Sequence, residues 1–363
     1  MSKSTRFFVA LGIGGIFIAI VLFVYREKVF LPQDAVLPSG IVIEPRINRE
    51  SAPVSNDDAV IGEKDGLPFP VSTRAITITD GVTHSVPLEQ IVAGGPPRDG
   101  IPPIDSPKFI PAADGGKNLR DDEAGIALSY EGVDRFYPFE ILVFHEIVND
   151  TINGKRVLVT YCPLCYSGIV FDPLVNGERV EFGTSGKLWN SNLVMYDRKT
   201  ESLWPQVLGE AVVGEMTGTR LSVIPSNVVR FGDWSRAHPR GEVLSRETGA
   251  FRSYGHDPYG DYYTTPGVYF PVANKDDRLG EKASVLGLVF GGQAKAYPVA
   301  LLRERGTIQD TFAKHTIEGE YDAVSGEMSL YEIETDGKRK RLAPFFSYWF
   351  SWAAAWPQTD LYQ

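Results

Sequence analysis

From Arg74 onward the chain is built of short apolar runs broken by turn residues. AITITDG at 75–81, GIALSYEG at 125–132, KRVLVTY at 155–161, GIVFDP at 168–173, SNLVMYD at 191–197 and ASVLGLVFGG at 283–292 are all strand-sized. They are rich in Val, Ile, Tyr and Phe and are bounded by Gly, Asp or Pro, the signature of strands between turns. Helical stretches are few and short, around Pro138–Phe144, Trp234–Ala237, Val299–Glu304 and Ser347–Ala355. The pattern predicts a mainly β fold with a few short helices.

The amino-terminal pattern is different. Phe7 to Tyr25 is a run of 19 residues without a charge, preceded by Lys3 and Arg6 and followed by Arg26, Glu27 and Lys28. A run of this length suffices to cross a hydrocarbon core as a helix. The basic excess on its amino-terminal side keeps that side cytoplasmic, and no A-x-A-like cleavage site follows it. Residues 1–30 therefore read as a single-pass anchor in the cell membrane, 31–66 as a flexible linker, and 67–363 as a β-rich domain on the extracytoplasmic side. The linker is expected from scattered Pro, Gly, Ser and Asp without sustained periodicity.

A second pattern lies within the domain. YPFEILVFHEIVND at 137–150 aligns with YPVALLRERGTIQD at 297–310, each behind a Gly-led strand. Trp234-x3-His238-Pro239 is echoed by Trp352-x3-Trp356-Pro357 in the same order. We read an internal repeat, about 105–245 and 265–363.

Composition narrows the possible functions. The chain has 363 residues, is 43% hydrophobic and carries a net charge of −10. That is ordinary for a folded chain and argues against nucleic acid as a partner. The anchor end is basic at +3, so the remainder stands at −13. Only two cysteines occur, Cys162 and Cys165, so no disulfide framework is available.

Those two cysteines lie in Thr160-Tyr-Cys162-Pro-Leu-Cys165, between VLVTY and GIVFD. A thioredoxin-type CxxC opens a helix, whose dipole acidifies the first thiol. Here a strand follows, and a strand–CPxC–strand turn is closer to a metal knuckle. One knuckle needs further ligands, for which His145, beside Glu146, and then His238 are the candidates. Thiolate and imidazole together suit a thiophilic ion such as zinc, copper or iron. Two other readings stand beside the metal. One is thiol redox chemistry, which predicts an exposed Cys162 of lowered pKa and indifference to His145. The other is a non-catalytic binding or scaffolding module of the cell envelope, with the cysteines as a buried staple and aromatic loops as its surface.

The remaining polar clusters are less specific. If 145–150 is helical, His145 shares a face with Asn149 or Asp150. The second segment keeps Asp310 without a histidine, which favours a structural Asp150. Ser185 in Phe182-Gly-Thr-Ser185-Gly186 lacks the G-x-S-x-G spacing and reads as a hairpin turn. Asn190, Asn192, Asp197, Ser202, Trp204 and Gln206 either line a pocket or pin strand ends. Tyr254, Tyr259, Tyr262 and Tyr263 form an aromatic loop, and Lys338–Arg341 a solvated basic turn.

These strings carry a resemblance. HEIVND, VTYCPLCYSGIVFD, FGTSGKLWNSNLVMYD and WSRAHP resemble the prokaryotic family known as domain of unknown function 3179, over roughly residues 90–363. The resemblance implies the domain extent and marks His145, Cys162 and Cys165 as motif positions, but implies no reaction. Tyr166 departs from the family, in which a small residue commonly follows the second cysteine. So does Lys187-Leu-Trp189, where an apolar-apolar-Tyr string is more usual.

Overall fold

A computed structural model describes residues 74–175, 177–290 and 293–363. The anchor and linker readings at 1–30 and 31–66 lie outside those residues. No described helix is long and apolar enough to cross a membrane.

The described chain is mainly β, as its short apolar runs between turn residues predict. Ala124–Tyr130 and Val133–Pro138 form an antiparallel hairpin. Pro138 then fixes φ at −64° and starts the four-residue helix Phe139–Leu142. Three antiparallel strands follow: Ile147–Ile152, Lys155–Cys162 and Ser167–Asp172. Ser222–Ile224 closes that sheet at the far side of Ser167–Asp172. Asn227–Arg230 returns antiparallel to Ala124–Tyr130, the helix Phe231–Ala237 follows, and Glu242–Leu244 lies parallel to Val133–Pro138.

In the carboxy-terminal half, Ser284–Phe290 and Gln293–Pro298 form a hairpin, and Pro298 starts the helix Val299–Arg305. Thr307–Phe312, His315–Tyr321, Met328–Ile333 and Arg339–Arg341 then make a four-stranded meander. Phe345–Tyr348 returns antiparallel to the first hairpin strand, the helix Trp349–Ala355 follows, and Asp360–Leu361 pairs parallel with the second. The four helices lie where the sequence places them. A further turn of helix at Ala112–Gly115 carried no periodic signal.

Between Asp172 and Ser222 the chain contributes three strands to the third main sheet of the amino-terminal half, in the order Leu203–Pro205, Asn192–Asp197 and Phe182–Trp189, with the earlier strand Ile91–Ala93 at its edge. Apolar side chains of this sheet and of the CxxC sheet share one core, which includes Phe171, Phe182, Trp204 and Trp352. The Lys338–Arg341 cluster is the exposed edge strand of the carboxy-terminal meander rather than a turn. Arg339 there pairs with Glu318 and Glu320 at 2.9 and 2.7 Å, and basic residues on an edge discourage further strand pairing.

Candidate functional site

Cys162 ends the strand Lys155–Cys162 and faces Ser167 across the ladder. Pro163–Cys165 is a single 3-10 turn, and Tyr166 completes it in the left-handed region at φ 48°. The strand–turn–strand expectation therefore holds. The tight turn brings the sulfurs to 3.2 Å, with the Cys162 thiol donating to Cys165. Both are buried, at 1% and 0% exposure. The exposed, acidified Cys162 expected for thiol redox chemistry is not what the fold makes. Burial, followed by the neighbouring thiol, pushes Cys162 well above the usual thiol value.

The third sheet supplies the wall against the sulfurs. Asn190 and Ser191 have φ of 50° and 64° between paired Trp189 and Asn192, a two-residue hairpin turn of type I′ geometry. This turn aims backbone groups at the cysteines. Leu193 N–H donates to Cys162 Sγ at 3.4 Å, and the Ser191 carbonyl accepts from Cys165 at 3.4 Å. The Asn192 side-chain amide donates to Cys165 Sγ at 3.4 Å and to Gln206 Oε1 at 3.0 Å. Gln206 in turn takes the Ser167 hydroxyl at 2.7 Å and donates to Thr160 Oγ1 at 3.1 Å. The polar stretch 190–206 thus divides. Asn192 and Gln206 form the floor of the thiol site, while Asp197 pins a turn through Thr200, Ser202 and the Trp204 indole.

A cleft of about 80 Å³ reaches Cys162, lined also by Glu146, Pro163, Lys187, Tyr259 and Phe270. Glu146 is 7% exposed and forms no ion pair among the described residues. Its carbonyl accepts from Tyr161 N–H at 2.8 Å, which fixes it beside the cysteine strand. Burial, and secondarily the negative charge Cys162 would carry, push its carboxyl well above the usual carboxylate range. The aromatic loop closes over the turn: the Tyr262 hydroxyl donates to Leu164 O at 2.8 Å, and Tyr259 and Tyr263 pack beside it.

The four expected ligands are not brought together. His145 lies in a turn after the short helix, and the strand Ile147–Ile152 follows, so no helical face joins it to Asn149 or Asp150. Its Nδ1 donates to Pro102 O at 2.7 Å, and its Nε2 accepts from the Tyr254 hydroxyl at 2.7 Å. Both ring nitrogens are committed away from the sulfurs, and burial lowers the imidazole pKa. His238 caps the helix Phe231–Ala237, stacks on Trp234 at 5.6 Å between centroids and faces Asp134 at 3.2 Å. No group of three or more His, Cys, Asp or Glu among the described residues is arranged to hold a metal ion. Asp150 has the structural role the aligned segments predict, accepting from Tyr137 and Arg135 at 2.6 Å each. Ser185 sits in a bulge between Thr184 and Lys187, not in a hairpin turn, and donates to Val194 O.

Glu146 is the residue sequence reasoning passed over. A signal was available: in the aligned segments it stands where Gly306 stands, and both have positive φ, 58° and 72°. A glutamate in a left-handed position that its counterpart gives to glycine carries strain, and such strain occurs at functional sites.

Fold and site together define a β-rich domain with one buried CxxC pair, whose Cys162 lines a small cleft. The chain belongs to the family described as a protein of unknown function, DUF3179, whose model matches residues 98–359. No curated protein and no solved structure matches it.

Proposed function

We propose that Cys162 and Cys165 form a dithiol–disulfide couple that reacts through the cleft, with Glu146 handling the proton. The observation that carries this is the 3.2 Å contact of Cys165 with Cys162, which lines a cleft together with a buried carboxyl. A purely structural staple has no use for Glu146, whose burial and left-handed backbone both cost stability. The non-catalytic scaffolding reading retains one favourable observation, the near-complete burial of both sulfurs beneath an aromatic loop whose Tyr269 is 60% exposed. We place the domain on the extracytoplasmic side of the cell membrane, held by the apolar run at 7–25, and expect no nucleic-acid partner.

We also propose that the domain is an internal duplication. Its support is the recurrence of one connection order: hairpin, short helix, four-stranded meander, returning strand, helix, parallel strand. Tyr137–Asp150 and Tyr297–Asp310 recur as equivalent hydrogen bonds of 2.6 and 2.9 Å. The insertion 173–221, which carries the hairpin against the sulfurs, has no counterpart in the second half. One copy therefore holds the chemistry and the other braces it.

The test of the couple is a thiol count and a metal analysis on the full-length protein, before and after mild oxidation. The account expects two thiols before and none after, restored by reductant, with no metal retained by the sulfurs. Thiols that oxidise only on unfolding would support the staple, and stoichiometric metal lost on blocking the thiols would support a metal centre. His145→Gln is expected to leave the oxidation unchanged. It should lower stability by about 1–3 kcal/mol, through loss of hydrogen bonds that cross-link a buried turn.

A further inference from the structure

The reading of Cys162 and Cys165 as a redox couple leaves open what oxidises them, and the shape of the site narrows the choice. Cysteines whose whole residues are 1% and 0% exposed are poorly placed to meet a disulfide carried on another protein, which must align three sulfurs in contact. The cleft of about 80 Å³ is several times the roughly 10–15 Å³ that one water needs, so it has room for a small oxidant. A hydroperoxide fits that space.

The carboxyl points the same way. A disulfide substrate releases a thiolate, which leaves readily without protonation. A hydroperoxide releases hydroxide or alkoxide, which needs a proton as it departs. Glu146 lines the same cleft as Cys162. We infer that the oxidant taken by this site is a small hydroperoxide, reduced at Cys162 with Glu146 as the proton relay and Cys165 as the resolving thiol; the inference rests on the dithiol–disulfide reading.

The step balances as follows. Cys162 Sγ attacks one peroxide oxygen, so an S–O bond forms as the O–O bond breaks. The thiol proton passes to one oxygen of the Glu146 carboxyl while the proton on its other oxygen goes to the departing oxygen. Water or an alcohol leaves, Glu146 ends neutral as it began, and Cys162 becomes a sulfenic acid. The peroxide has gained two electrons and the sulfur has lost them. The Cys165 thiol, already 3.2 Å away, then attacks the sulfenic sulfur. The S–S bond forms, the S–OH bond breaks, and the hydroxyl leaves as water with the Cys165 proton. Two small thiols return the pair to the dithiol and leave as their own disulfide.

The full-length reduced protein is mixed with hydrogen peroxide, with oxidised glutathione, and with the small azo oxidant diamide, and disulfide formation is followed by intact mass. The inference expects one equivalent of peroxide to close the pair and to outpace glutathione disulfide. Cys165→Ser should accumulate a single added oxygen on Cys162. Glu146→Gln should slow the peroxide reaction by about 100-fold, the low end of general acid–base contributions. If diamide closes the pair reversibly but peroxide is slower than glutathione disulfide, the peroxide inference falls and the couple stands; if peroxide is indifferent to Glu146→Gln, the peroxide inference and the proton role of Glu146 fall together and only the bare dithiol–disulfide couple stands. If no oxidant closes the pair in the folded protein, both fall.

Discussion

Replacing Glu146 by Gln is expected to raise the thermal stability of the protein while suppressing oxidation of Cys162, and the gain should grow with pH. The sign follows from linkage. Burial holds the folded carboxyl above its ordinary value of 4.5, so the folded state binds a proton that the unfolded state has released. The favourable balance is fully present below that value and is lost as pH rises through the folded pKa. The wild-type protein therefore loses stability relative to Glu146→Gln from about pH 4.5 upward, and the two converge below it. Glu146→Gly adds relief of the left-handed backbone, worth about 1–2 kcal/mol. It should be the more stable variant and equally slow to oxidise. Melting temperatures of the three proteins from pH 4 to 8 check this; a wild type that outlasts both variants at pH 8 would mean that Glu146 is a structural acid.

Trp352→Ala should be among the most damaging single substitutions, at about 3–5 kcal/mol, the range for removing a large aromatic from a core. The side chain is fully buried, its indole donates to Thr359 Oγ1 at 2.8 Å, and Trp356 lies 4.1 Å from it between centroids. A Cβ placed on Gly287 would lie 2.1 Å from the Trp352 ring, so the ring occupies the space that the strand leaves empty. Gly287→Val should therefore destabilise as well, by overpacking, by about 1–3 kcal/mol. Trp234 stands at the matching place in the first half, fully buried against Phe136 at 5.2 Å. Under the duplication reading, Trp234→Ala should cost a similar amount. Denaturant unfolding measures all three, and a Trp352→Ala loss below about 1 kcal/mol would contradict this packing account.

Much of the fold was legible because its signals are local. Short apolar runs between turn residues marked the strands, and the recurring Tyr-Pro and Trp-x3 landmarks aligned two segments that each pass from hairpin into helix. The cysteine turn was legible for the same reason, since two strand-like runs flank four residues. The site around it was not. Ser191, Asn192 and Leu193 reach the sulfurs from almost thirty residues away, through a third sheet whose docking no periodicity announces. His145 attracted the ligand reading because it is a histidine near a CxxC in sequence. In space its nitrogens hold Pro102 and Tyr254 instead, and it is the next residue, Glu146, that lines the cleft with Cys162. Burial likewise reversed the expected direction of the Cys162 shift, a property set by the surrounding core rather than by the motif.

The measurement closest to the central claim is a redox titration of the folded, full-length protein in thiol–disulfide buffers, with the Cys162–Cys165 disulfide read by mass. The account predicts a single reversible two-electron transition. Its midpoint should lie toward the reducing end, because a pair whose thiolate is not stabilised favours the disulfide. A dithiol that persists through the whole range while the protein stays folded would contradict it.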